Sequence, residues 1–134
     1  MVGIVVVSHG PLADGLKGAA EMIVGQQERF ETVGMDPAAD IDRLRGAIEA
    51  AVDAVGGKDA AVVFVDLMGG SPSNSSAYLA VEGVPVVCGV NLPMLLEVLL
   101  SRESSGAQEL ATQAIETGRD GILNLGERLT SGSA

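Results

Sequence analysis

Apolar residues in this chain form short continuous runs, separated by stretches in which they recur every three or four positions. The continuous runs are rich in β-branched residues, which predicts buried strands at 2–8, 30–35, 60–65 and 84–90. The spaced stretches predict helices at 12–24, 37–55, 71–81, 93–102 and 107–118. A last short apolar run predicts a further edge strand at 121–125.

The alternation of strands and helices defines the expected fold class. Continuously apolar strands are typical of a parallel sheet that helices cover on both faces, so we expect an α/β fold with an open, doubly wound, mostly parallel sheet. The 134 residues fit one domain, predicted at 1–128 and followed by a flexible tail at 129–134. Ligands of such sheets bind at the carboxyl edge, where the strand order reverses.

The predicted helix at 93–102 is unusually apolar. Between Met94 and Leu100, Glu97 is the only polar residue. A helix that is apolar almost all round is buried on more than one side. Its second apolar side fits either a subunit contact or the core of a monomer, and we favour a homodimer.

Charge narrows the class of partner. The formal charge of −10 argues against nucleic acid and against anionic membrane surfaces. It suits a protein partner with a basic docking face, and it equally suits plain solubility.

The longest apolar stretches fall far short of the roughly 20 residues that span a bilayer, and no basic leader precedes the first run, so we expect a cytoplasmic protein without direct membrane insertion. The single unpaired cysteine, Cys88, agrees with a reducing compartment.

The residue inventory also limits the chemistry. One histidine and one cysteine cannot assemble a zinc site, and no glycine-rich nucleotide-binding loop or serine-hydrolase elbow is present. We therefore predict neither a metal nor a cofactor.

The only histidine, His9, follows the first predicted strand and precedes Gly10-Pro11. Asp66 follows the third predicted strand in the same way. If these strands are neighbours, the Asp66 carboxylate can accept the proton of one imidazole nitrogen and leave a lone pair on the other. Such a pair predicts a nucleophile that carries a phosphoryl group.

The segment after Asp66 predicts an anion site. Gly69-Gly70 allows a close approach of the backbone, and Ser71 is a natural cap for a helix that begins at Pro72. Free amides and the dipole at a helix start attract phosphate oxygens. Candidate phosphoryl-binding residues are Ser8, Gly70, Ser71, Ser73 and Asn74.

A weaker prediction concerns the rim of the site. Met68, Met94 and Leu92 are candidates for an apolar docking collar, although packing in the core or at its edge explains them at least as well. Asn91 is a candidate for the same rim, and we favour a structural role as the cap of the helix near Pro93.

Four segments resemble the enzyme IIA component of the mannose/fructose/sorbose family of the bacterial sugar phosphotransferase system (PTS). They read VVVSHG at 5–10, VDLMGGSPSN at 65–74, GVNLPML at 89–95 and ETGRDG at 116–121. The second and third segments together are specific, and the similarity extends to about Leu125. Met68 stands where the best-known relatives are expected to have an aromatic residue.

The resemblance implies a phosphotransferase without a cofactor. His9 would accept a phosphoryl group on Nε2 from the phosphohistidine of HPr and pass it to a histidine of enzyme IIB, which works with the membrane components IIC and IID. Asp66 would orient the ring through Nδ1, and Ser71 with nearby amides would hold the phosphoryl oxygens. The implied fold ends in an antiparallel strand, here near 121–125, that is exchanged within a homodimer. The absence of a following IIB sequence implies a separate IIA unit.

Other readings compete with this one. The phosphotransfer subunit of dihydroxyacetone kinase shares the first motif, but the turn Gly69-Gly70-Ser71-Pro72 disfavours it. A histidine phosphatase or mutase would need an arginine where Ser8 stands, and a second histidine. A flavodoxin-like binding module is disfavoured by the scarcity of aromatic residues. A regulatory PTS relay without sugar transport is a further alternative. The sequence does not indicate which sugar is transported.

Overall fold

The computed structural model describes residues 1–131 and contains four strands. They are β1 (Gly3–His9), β2 (Phe30–Met35), β3 (Ala61–Val65) and β4 (Val86–Cys88). All pairings are parallel, and the order across the sheet is β2-β1-β3-β4. The helices are α1 (Leu12–Val24), α2 (Ile41–Ala54), α3 (Ser71–Val81), α4 (Leu92–Ser101), α5 (Ala107–Asp120) and α6 (Leu125–Thr130), with a short 3-10 turn at Lys58–Ala60.

The core lies in two layers, one on each face of the sheet. Side chains alternate along β1, so that Ile4 and Val6 pack with α1, α4 and α5 while Val5 and Val7 pack with α2 and α3. Every residue of β1 before His9 is buried. Helices therefore cover both faces of an open parallel sheet, and the predicted α/β class is confirmed.

The strand order places the carboxyl ends of β1 and β3 side by side. The chain leaves β1 toward β2 on one side and later returns to β3 on the other side, so the order reverses between β1 and β3. Val7 is registered with Val65, which brings the residues after each strand to the same edge. This edge is the switch point at which such sheets bind ligands.

The structure corrects the bounds of several predicted elements: the strand expected at 84–90, for example, is limited to Val86–Cys88. The helix expected at 37–55 begins only at Ile41, because Asp36 and Pro37 form a turn in which the Asp36 carboxylate accepts the amide of Ala38. The predicted edge strand at 121–125 is not a strand of this chain's sheet, since residues 121–124 are a turn and irregular backbone and Leu125 begins α6. This segment pairs with no strand of the described chain, and large side chains in it and in the following helix are exposed: Ile122, Leu123, Leu125 and Leu129.

The predicted tail at 129–134 begins inside α6, which ends at Thr130 and whose start is capped by the side chain of Asn124, which accepts a hydrogen bond from the amide of Glu127. The tail residues 132–134 lie outside the described part of the chain. Across residues 1–131, no helix combines the length and the apolar character that a bilayer crossing requires.

Candidate active site

The imidazole of His9 and the carboxylate of Asp66 are in direct contact at the carboxyl edge of the sheet. His9 Nδ1 lies 2.7 Å from Asp66 Oδ2. The backbone amide of His9 donates to the same oxygen at 2.9 Å, and the amide of Leu67 donates to Oδ1 at 3.0 Å. The His9 side chain is 44% exposed while that of Asp66 is 7% exposed. The carboxylate is thus enclosed, and the ring it holds faces solvent.

These contacts decide the ionisation of Asp66. Burial of the carboxyl group raises its pKa, but the hydrogen bonds from the His9 amide and ring outweigh burial, and the pKa of Asp66 lies below its ordinary value. The group is therefore a carboxylate at neutral pH, which can only accept hydrogen bonds. It follows that Nδ1 of a neutral His9 carries the proton and that Nε2 has the free lone pair.

The Nε2 side of the ring lies against the start of α3. A Cβ placed on Gly70 would lie 2.8 Å from His9 Cε1 and 3.1 Å from Nε2, so any side chain at position 70 would displace the ring. Gly70 itself is the N-cap residue of α3, with an extended backbone. The absence of a side chain at this position therefore brings the imidazole next to the helix start.

The first turn of α3 differs in detail from the sequence-based expectation. Ser71 is the first helical residue rather than the cap, and no side chain bonds to the helix start. Ser71 and Ser73 are half-buried, and Asn74 is exposed. The Ser73 hydroxyl lies 3.8 Å from the sulfur of Cys88 at the end of β4. The amides of Ser71 and Ser73 precede the first intrahelical bond of α3, which Asn74 donates to Gly70, so they lie where the sequence predicts an anion site.

Ser8 is not part of that anion site. Its side chain is buried, and its hydroxyl oxygen accepts the amide of Ala13 at 2.7 Å. The predicted contact between Ser8 and a phosphoryl group is therefore wrong, because the side chain of Ser8 points from β1 toward α1 and not toward solvent. The sequence carries no clear signal that Ser8 bonds to the start of α1, since the amide that it binds lies five residues later in the chain.

The rim residues divide into exposed and structural ones. Met68 is 81% exposed and lies two residues after Asp66, where it is free to contact a partner. Met94 is buried in the core against Gly118, so its predicted place in a docking collar is wrong. Asn91 caps α4 through the amide of Met94 and donates to the carbonyl of Gly118 at 3.0 Å, as its structural interpretation predicted.

Two further apolar side chains at this rim were not singled out in the sequence. Leu12 begins α1 just after the His9 turn, and Leu67 follows Asp66; each is about half exposed. We refer to Leu12, Leu67 and Met68 as the apolar rim. Within the described residues, no group of three potential ligands could hold a metal ion.

Comparison with known proteins agrees with this architecture. Residues 3–115 match the family model described as PTS system fructose IIA component. The PTS system mannose-specific EIIAB component of Escherichia coli (strain K12) is 34% identical over 127 residues, which cover 92% of this chain and 39% of that protein. The chain thus spans about two fifths of the length of this curated relative.

A second relative has nearly the same length as this chain. The PTS system sorbose-specific EIIA component of Lacticaseibacillus casei is 30% identical over 131 residues, covering 96% of this chain and 94% of that protein. The crystal structure of the phosphotransferase system component EIIA from Streptococcus agalactiae superposes with a TM-score of 0.86 at 31% identity, over 94% of this chain and 98% of that one. The resemblance in the sequence is confirmed, and the chain belongs to the mannose/fructose/sorbose family of PTS enzyme IIA components.

Proposed function

We propose that this protein is a phosphocarrier in which Nε2 of His9 accepts a phosphoryl group from the phosphohistidine of HPr and passes it to a histidine of enzyme IIB. One observation carries the proposal. The ionised carboxylate of Asp66 binds Nδ1, which leaves the lone pair of Nε2 beside Gly70 at the start of α3. Family membership supports the same chemistry, because the relatives are named as phosphotransferase components.

The proposed step exchanges one phosphorus–nitrogen bond for another. The Nε2 lone pair of His9 attacks phosphorus as the bond to the donor imidazole breaks, and the electron pair of that bond returns to the donor ring. The proton on Nδ1 stays in place, and the positive charge that develops on the ring is stabilised by Asp66. No net proton transfer or co-reactant is needed, and reversal of the same step on a second imidazole delivers the group to the acceptor.

Stabilisation of the transferred group falls to α3. The half-buried serines Ser71 and Ser73, the exposed Asn74 and the backbone next to Gly70 surround the helix start that faces the ring. Amides and hydroxyls in this position can donate to the equatorial oxygens of the phosphoryl group, which carry most of the negative charge during transfer. Uncharged donors suit a carrier, because a group bound too tightly is not passed on.

Partner binding is proposed to use the apolar rim. Leu12, Leu67 and Met68 are exposed around His9, and the chain carries a formal charge of −10. A partner with a complementary basic face and an apolar centre would bring its histidine to Nε2 and exclude water. HPr and enzyme IIB are proposed to use this rim in turn, with IIC and IID as the membrane components downstream and the cytoplasm as the site of the relay.

A homodimer completes the proposal. The exposed apolar side chains of segment 121–129 and the unpaired outer edge of β4 each lack a partner within the described chain. A cavity of about 340 Å³ lies along that edge, between β4 and α5, and Ile122 of the segment itself forms part of its wall. Exchange of segment 121–125 between two copies would cover both surfaces.

The function is tested by phosphorylation in a reconstituted relay. The purified chain is incubated with phosphoenolpyruvate, enzyme I and HPr, and its intact mass is recorded before and after acid treatment. We expect a gain of one phosphoryl group that acid removes and that His9→Gln abolishes. No mass gain in the wild type, with HPr itself shown to be phosphorylated, would contradict the proposed function.

A further inference from the structure

The strand that delivers His9 contains one buried hydroxyl. Six of the seven residues of β1 are buried, and among those six Ser8 is the only polar one. Its exposed fraction is 0%, so water cannot satisfy its hydroxyl or the groups around it. The hydroxyl therefore needs hydrogen-bond partners within the protein.

The Ser8 hydroxyl bonds on both sides of the turn that follows it. Oγ accepts the buried amide of Ala13, in the first turn of α1, at 2.7 Å. The same hydroxyl lies 3.5 Å from the carbonyl oxygen of Gly10, to which it can donate. Pro11, the N-cap residue of α1, has no side-chain group that accepts hydrogen bonds, and no side chain bonds from the cap position itself. Ser8 thus serves the helix start from the preceding strand.

The bond between Ser8 and Ala13 encloses residues 9–12, which include His9 and Gly10. Gly10 has a φ of +53°, and its amide donates to the carbonyl of Met35 at 2.9 Å. The His9 amide donates to Asp66 Oδ2, the oxygen that also contacts Nδ1. His9 can make both bonds to a single oxygen only if its backbone and its ring keep a fixed orientation relative to each other. A turn closed by the Ser8 hydroxyl favours that orientation.

We propose that Ser8 is a positioning residue for the imidazole of His9, acting by tying the first turn of α1 to the end of β1. It does not touch the transferred group, because its side chain is buried on the α1 side of the sheet. The inference rests on the proposed phosphocarrier function where it concerns the rate of phosphorylation. The orientation of the His9 ring, in contrast, can be measured without any phosphoryl transfer.

Loss of the hydroxyl has a defined consequence. In Ser8→Ala, the buried amide of Ala13 has no acceptor, which favours a looser turn. The amide and the ring of His9 then no longer reach Asp66 Oδ2 together, and the proton moves partly from Nδ1 to Nε2. Displacement of a reacting group by about 1 Å lowers rates by about 100-fold, so a smaller shift predicts a loss of about tenfold or more.

The experiment compares Ser8→Ala with Ser8→Thr and with Ser76→Ala. Threonine restores a hydroxyl at position 8. Ser76 is an equally buried serine whose hydroxyl donates to the carbonyl of Pro72 at 2.8 Å within α3, so it controls for the loss of any buried hydroxyl. Two quantities are measured on each folded variant: the rate of phosphorylation by phospho-HPr, and the ¹⁵N shifts of the imidazole nitrogens. Since His9 is the only histidine, one pair of ring signals reports the tautomer directly.

We expect Ser8→Ala to slow phosphorylation by about tenfold or more and to shift the ring toward a mixture of tautomers. Ser8→Thr should recover both the rate and the Nδ1–H tautomer, and Ser76→Ala should change neither. Unchanged ring shifts and rate in Ser8→Ala, or an equal loss in Ser76→Ala, would overturn the inference.

Folding and function are separated within the same experiment. If Ser8→Ala does not fold, Ser8→Cys keeps the volume with a much weaker acceptor, and unaltered ring shifts in that variant would equally overturn the inference. If the wild type is not phosphorylated by phospho-HPr, the proposed function fails, while the ring shifts of the variants still decide the positioning role.

Discussion

Asp66 Oδ2 accepts two hydrogen bonds from the same residue, one from His9 Nδ1 at 2.7 Å and one from the His9 amide at 2.9 Å. A carboxylate that holds both the backbone and the ring of one histidine fixes the direction of the ring as well as its tautomer. The ring then presents Nε2 to the start of α3, next to Gly70. This relationship links the topology of the sheet to the chemistry of the site, because it exists only where β1 and β3 are neighbours.

Replacement of Asp66 by asparagine should preserve the fold and slow phosphotransfer. The amide group of Asp66→Asn is uncharged and can donate to Nδ1, which favours the tautomer with the proton on Nε2 and removes the nucleophilic lone pair. Removal of such an orienting group costs about 10- to 100-fold in related settings. Rapid-quench measurement of transfer from phospho-HPr checks the expectation, and an unchanged rate would remove Asp66 from the mechanism.

The lowered pKa of Asp66 predicts a pH dependence of stability. The ordinary value for the carboxyl group is 3.8, and the folded value lies below it, so the folded protein favours the carboxylate. The stabilisation is present above pH 3.8 and is lost as the pH falls through the folded pKa. Urea unfolding at a series of pH values should show that the stability advantage of the wild type over Asp66→Asn shrinks in this acid range. A constant difference down to strongly acid pH would contradict it.

A side chain at position 70 should displace the imidazole. The Cβ of Gly70→Ala would lie 2.8 Å from His9 Cε1, closer than carbon atoms pack, so the ring must move away from α3. We expect a loss of at least about tenfold in the phosphorylation rate, together with a changed ring signal in NMR spectra.

Gly46→Ala is the matched control for that experiment. Gly46 lies in α2, and a Cβ there meets nothing within 4 Å. The control should keep the wild-type rate and gain roughly 0.5–1 kcal/mol of stability from the better helix former. Equal rates in Gly70→Ala and Gly46→Ala would show that the ring does not depend on the space at position 70.

Much of the fold was accessible from the sequence, for a physical reason. Strands buried on both faces are continuously apolar, and the turns after β1 and β3 carry glycine, proline or aspartate, so the strands, most helices and the turns that end the strands followed from local pattern. The contact between His9 and Asp66 required β1 and β3 to be neighbours, and local pattern does not encode strand order. Segment 121–125 was misassigned because an apolar run indicates burial without saying against what, and here no strand of the same chain receives it.

The site residues that were misassigned show the same limit. Ser8 and Met94 lie within correctly predicted motifs, yet their side chains point into the core. Near the end of an element, one position decides whether a side chain faces solvent or the neighbouring helix, and the sequence does not fix that direction. Met68 is exposed, because it lies in a glycine-rich turn where burial is rare, and its role in docking stays a prediction.

The apolar rim predicts a separable effect on partner binding. Met68 is 81% exposed and makes no contribution to the core, so Met68→Ala should leave the unfolding free energy unchanged. A central apolar contact in an interface is worth about 1–2 kcal/mol, which corresponds to a rise of about five- to thirtyfold in the KM for phospho-HPr with little change in kcat. Val81→Ala, at an equally exposed position at the far end of α3, is the control. Equal kinetics for the two variants would place the docking surface elsewhere.

The central claim is that Asp66 binds the protonated Nδ1 of His9 and thereby leaves Nε2 as the nitrogen that bonds to phosphorus. It is tested most directly by phosphorylating the ¹⁵N-labelled chain with phosphoenolpyruvate, enzyme I and HPr, and by identifying the bonded nitrogen from its coupling to ³¹P. The account predicts a single phosphohistidine with phosphorus on Nε2 and a proton retained on Nδ1. Phosphorus on Nδ1 of His9, or on a residue other than His9, would contradict it.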